Sequence, residues 1–161
     1  MKYLKAIDPT TSQVDAHKVW AMADDGTSTL VADTDPAWLG YLQNVCPVAI
    51  DARVAEIYSN WTRFQQEYLS RQTAAQAFKD AGYTGDPGPW VAGFAVPAGK
   101  TNQQAADLIL AQAAGLNAAL SALGALRMRK YEVLAASEAT AAQSAFDDIM
   151  ASIEAVAATI Q

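Results

Sequence analysis

The spacing of apolar positions along the chain changes character twice, and each change marks a different kind of element. In the first stretch, Val14 to Ala23 and Thr27 to Val31 flank Asp24-Asp25-Gly26. An Asp-Gly turn between two runs that contain Val, Trp and Thr predicts a β-hairpin. Tyr3 to Ile7 offers a third strand, ended by Asp8-Pro9. Asp35-Pro36-Ala37-Trp38 then places a capping carboxylate before a proline at the first helical position, which predicts a short helix to about Leu42. Cys46-Pro47 closes this head, residues 1–50.

From Asp51 the period becomes helical. Val54, Ile57, Trp61, Phe64, Tyr68, Ala75 and Phe78 advance by threes and fours, a seam whose single exception is Arg71. This stripe serves either as intrachain core or as a seam between subunits. Arg71 requires that the seam open to water there or that an acid meet it, with Asp147, Asp148 and Glu154 as candidates beside the local Glu67. Between residues 82 and 100, turn chemistry brackets Trp90 to Phe94. Asp86 can cap one short helix there. Trp90 and Phe94 act as a docking knob or as a plug over the end of a helix pair.

Thr101 and Gln104 have the spacing of a capping box and open a second helical stretch. Gly115 and Gly124 lie among its alanines, where they would admit a close neighbouring helix. Its end has the most regular pattern in the chain: Ala135, Ala139, Ala142, Phe146, Ile149, Ile153, Val156 and Ile160. Branched residues at successive seam positions favour a coiled coil of more than two strands. Unbroken from Asn102, this helix would extend roughly 80 Å and would need partners to cover its seam. A break near Ser137 would instead fold a third helix back. The expected fold is thus mainly α: a small β-hairpin head, then a body (residues 51–161) of long helices forming an antiparallel hairpin or coiled-coil bundle.

Composition narrows the function. The chain has 161 residues and a net charge of −6, with no basic footprint for nucleic acid. Its basic cluster, Arg127, Arg129 and Lys130, precedes an acidic end, either a solvated face or a match between neighbouring subunits. One cysteine excludes an internal disulfide, and its apolar surroundings make Cys46 a small buried hydrophobe. The polar start is unlike a signal peptide, and no uninterrupted apolar stretch reaches the length of a membrane span. Synthesis in a cytoplasm follows. The lone histidine, His17, has no catalytic elbow around it, and Gly99-Lys100-Thr101 lacks the earlier glycine of a phosphate loop, because Phe94 stands there. The acidic pairs Asp24-Asp25 and Asp147-Asp148 lack a ligand ladder. The expectation is a protein with no enzymatic activity, metal or cofactor.

Val19-Trp20, Asp24-Asp25-Gly26 and Pro36 to Leu39, with Ala77 to Tyr83, Ala105 to Ala113 and Leu126 to Lys130, together resemble small tail-associated proteins of bacteriophages. That resemblance implies a structural component of a phage tail, at the baseplate or at fibre attachment, resident in the virion after synthesis in the host cytoplasm. The regular end of the chain is expected to drive self-association as a trimer, and the head to dock to other tail or fibre proteins. The alternatives are a tail-fibre assembly chaperone and a small regulatory or ligand-binding helical protein. Interface contacts are expected from Phe146, Ile149, Ile153, Val156 and Ile160, and from Trp61, Phe64, Arg71, Trp90 and Phe94.

Overall fold

A computed structural model describes residues 2–7, 14–22, 24–32 and 34–160, and the chain is mainly helical. The Asp8-Pro9 stop expected after the first strand lies outside these residues. Strands β1 (Lys2–Ile7), β2 (Val14–Met22) and β3 (Ser28–Ala32) run antiparallel in the order β1-β2-β3. At the β2–β3 turn the Asp25 carboxylate accepts hydrogen bonds from the Thr27 amide at 2.9 Å and hydroxyl at 2.7 Å. Gly26 takes φ +86°, the left-handed conformation that glycine adopts without steric cost. The chain divides into two compact units, each discontinuous in sequence: Met1–Val54 with Gly124–Ala155, and Ala55–Leu123 with Val156–Gln161.

Helix α1 (Pro36–Thr62) corrects the expected short helix and separate start at Asp51. The expected opening is present, since Asp35 accepts from the Ala37 amide at 2.8 Å. The helix then passes straight through Pro47. Trp38, Leu42, Cys46, Ile50, Val54 and Ile57 follow one another at steps of four and three, and all are buried. Burying six large or medium apolar side chains on one face is worth several times the roughly 3 kcal/mol that an interior proline costs a helix. The helix ends instead at Thr62, and α2 (Gln65–Asp80) begins three residues later.

The first unit is stapled by charges. Arg53 grips Glu154 with two bonds, Nε–Oε1 at 2.6 Å and Nη2–Oε2 at 2.8 Å. Lys130 meets Asp51 at 2.5 Å, and Arg129 meets both Glu132 at 2.8 Å and Asp148 at 3.0 Å. Within the basic cluster Arg129 thus meets the acidic end, whereas Arg127 and Lys130 face Asp51 of α1. Cys46 is buried here as expected, and burial, helped by the Asp147 charge, pushes its thiol up to about 11.

The expected unbroken final helix is three pieces: α4 (Asn102–Met128), α5 (Lys130–Ala135) and α6 (Ala139–Ala157). The break lies where Ser137 offered one, with Ala136 extended at ψ 134°. A short 3-10 turn, Ala158–Ile160, follows α6. Ile149 and Ile153 of α6 are fully buried, so these two side chains are used inside the chain and not on a self-associating surface. Phe146 and Val156 are half-buried. Asn102–Ala135 is long and apolar enough, by length and composition alone, to cross a membrane, against the expectation of no such stretch. Alanine raises mean hydropathy without supplying bulk, and only 17% of the most apolar window is buried.

In the second unit, Ala75 and Phe78 of α2, Val91 and Ala95 of α3 (Gly88–Ala95), and Ala105, Ala106 and Ile109 of α4 form one core cluster. Thr101 and Gln104 make the reciprocal capping box that opens α4, at 3.0 and 3.2 Å. Asp86 accepts from the Gly88 amide at 2.9 Å, close to the capping role expected of it. Tyr83 holds a left-handed φ of 58°, an uncommon state for a residue with a Cβ. Its amide bonds the Phe78 carbonyl at 2.9 Å, its ring meets Phe78 edge-on at 5.7 Å, and its hydroxyl donates to Asp107 at 2.5 Å. That hydrogen bond, then Lys79, holds the Asp107 carboxyl below its ordinary range, with burial acting in opposition.

Candidate functional site

The second unit contains a cavity of about 410 Å³ whose walls are mostly apolar. Each wall follows from a local repeat. On α4, Ile109, Gln112 and Leu116 fall at steps of three and four, so one helical face lines one side. On α2, Tyr68 and Arg71 do the same. Trp61 comes from the last turn of α1, Phe94 from α3 and Ile160 from the final 3-10 turn.

Four of the residues expected to carry contacts are thereby brought together: Trp61, Arg71, Phe94 and Ile160. Phe64 and Trp90 are outside the cavity lining, and both rings are exposed. Ile149 and Ile153 are buried elsewhere and take no part. Sequence reasoning missed Tyr68 as a lining residue and missed Ile109, Gln112 and Leu116 altogether. Their spacing on one helical face was the available signal, hidden because alanine dilutes the pattern on α4.

Arg71 accounts for its own break in the seam. Its Nη2 pairs with Glu67 at 2.5 Å, one helical turn earlier, and the seam opens at this point into the cavity. The three acids proposed as its partners each have a contact within the first unit. Asp148 is held by Arg129, Glu154 by Arg53, and Asp147 accepts from Gln143. Arg71 Nε remains buried with no hydrogen-bond partner. A buried donor in that condition costs about 1–3 kcal/mol and is rare in folded proteins.

Gly115 also borders the cavity and is exposed. A Cβ built there would meet no atom within 4 Å, so this glycine leaves space and does not admit a close helix. In a helix interior that choice costs about 1 kcal/mol against alanine. Among the described residues no cluster of three or more histidine, cysteine, aspartate or glutamate side chains is arranged to hold a metal ion.

No family model and no solved structure matches the chain. It is 46% identical over 85 residues to the uncharacterized 23.3 kDa protein in the lys 3′ region of Haemophilus phage HP1. This chain is similar to a phage protein. The match covers 53% of this chain and 42% of that relative, so the chain spans less than half the length of the protein it matches.

Proposed function

We propose that this protein is a non-catalytic structural component of a phage tail, in or near the baseplate or fibre attachment, that works by holding other chains. The observation that supports the reading most is the 46% identity to a phage-encoded protein, set beside the helical architecture. Large apolar side chains left on the surface support association too. Phe64 and Leu69 are about half exposed, and Val96 is 81% exposed. Lone exposed apolar residues are ordinary, but several on one small unit suit a surface that another protein covers. Self-association by this reading uses these residues and the exposed Trp90, since the isoleucines of α6 are already occupied.

The test is mass spectrometry of purified particles from a phage that encodes the chain. The proposal expects the protein at a fixed copy number in the particle. Its complete absence there, with the protein abundant in infected cells, would favour the alternative of an assembly chaperone that leaves before maturation.

A further inference from the structure

We propose that the break between α1 and α2 is a latch: when residues 62–65 wind into one helix, the ring of Phe64 turns from solvent into the cavity of the second unit and fills part of it. This goes beyond the tail assignment and does not depend on it. Three observations carry it. The seam from Val54 to Phe78 keeps its alternation of threes and fours straight through the break, with no slip of phase. Every member of that seam is buried or half-buried except Phe64, which is 53% exposed. The cavity takes its walls on this side from Trp61, Tyr68 and Arg71, the seam members on either side of Phe64, and not from Phe64 itself.

In a continuous α-helix residues 61, 64, 68 and 71 share one face. Phe64 would then face the space that the other three border. The space is sufficient, at about 410 Å³, since a cavity of roughly 150 Å³ holds a benzene ring. Little in the local sequence holds the break open. Thr62 to Gln65 contains neither glycine nor proline, the usual causes of a sharp kink, and Phe64 makes no side-chain capping bond to α2. Winding pairs backbone groups at two helix ends that otherwise lack helical partners. Thr62, Arg63, Gln65 and Gln66 are exposed and lie off the inward face of such a helix, so the turn buries an aromatic ring and no charge. Both sides of the break belong to the second unit.

The test places a single 4-fluorophenylalanine at Phe64 of the full chain. It is followed by fluorine saturation-transfer NMR, with exposure read from the change in shift between H₂O and D₂O. Two states should exchange: a major exposed one and a minor one, roughly 1–10% populated, that is shielded from solvent. Ala113→Phe, which adds a ring to the cavity wall on α4, should stay folded and remove the minor state. If that variant does not fold, Gln112→Trp at an exposed lining position places bulk in the same space. Arg63→Gly should lower the minor population about fourfold, the difference in helix propensity between the two residues. Absence of exchange overturns the proposal. A minor state that survives a filled cavity overturns it too, because the ring then lies elsewhere. So does one that fails to shrink in Arg63→Gly, because it is then not helical.

Discussion

The side-chain amide of Gln43 donates to the carbonyl of Leu134 at 3.0 Å, and the same nitrogen donates to the Ala136 carbonyl at 3.1 Å. These carbonyls stand at the end of α5, where the extended backbone of Ala136 leaves no following helical amide to meet them. One glutamine thus fixes the break between α5 and α6. Gln43→Ala should lower stability by about 1 kcal/mol, read as a reduced urea midpoint with an unchanged slope. An unchanged midpoint would mean that water replaces the amide without loss.

Gln43 also has a backbone carbonyl that Pro47 cannot satisfy, because proline has no amide hydrogen. Pro47 is the interior proline of α1 and is half-buried. Pro47→Ala should therefore stabilise the protein, by about 1–3 kcal/mol, with a matching rise in melting temperature. A fall in melting temperature would show that packing of the proline ring outweighs the missing bond.

Ile153 has no exposed surface. Ile153→Asp should unfold or severely destabilise the single chain, by about 3 kcal/mol or more, because a carboxylate would be buried without a partner. Circular dichroism melts check this. A folded variant of normal melting temperature and reduced oligomer mass would instead return Ile153 to a contact between subunits.

Glu154 shows how acid acts on the first unit. The hydrogen bonds from Arg53 hold its carboxyl below the ordinary value, with burial opposing and the Arg53 charge adding. A carboxyl depressed in the folded state contributes stability above its unfolded pKa and loses it as pH falls through the folded one. With the Glu154 side chain 51% exposed, the contribution is a few tenths of a kcal/mol. Glu154→Gln should flatten the acid limb of stability against pH slightly, below about pH 4.5, the carboxyl's ordinary value. High salt should shrink the difference. A difference that persists at neutral pH and high salt would assign the effect to packing.

Much of the local grammar was legible in the residues. The Asp35 cap, the Thr101–Gln104 box and the buried state of Cys46 follow from short-range chemistry, and the structure has all three. The run through Pro47 was not legible, because tertiary burial of Leu42, Cys46 and Ile50 decides it and a proline reads locally as a stop. Two residues of the α6 seam, Ile149 and Ile153, are buried inside the chain itself. Periodicity shows which face of a helix is apolar, but not whether the covering surface belongs to the same chain. Arg71 broke the seam in the sequence, and the structure places it at the cavity wall beside Glu67.

The buried thiol of Cys46 gives the first unit a built-in clock. Raised to about 11, it is protonated at neutral pH, and thiolates rather than thiols react with alkylating reagents. Modification must wait until the helix around it opens. The rate at which a small alkylating reagent labels Cys46 therefore measures how often that unit breathes, with the rest of the chain silent because it has no other sulfhydryl.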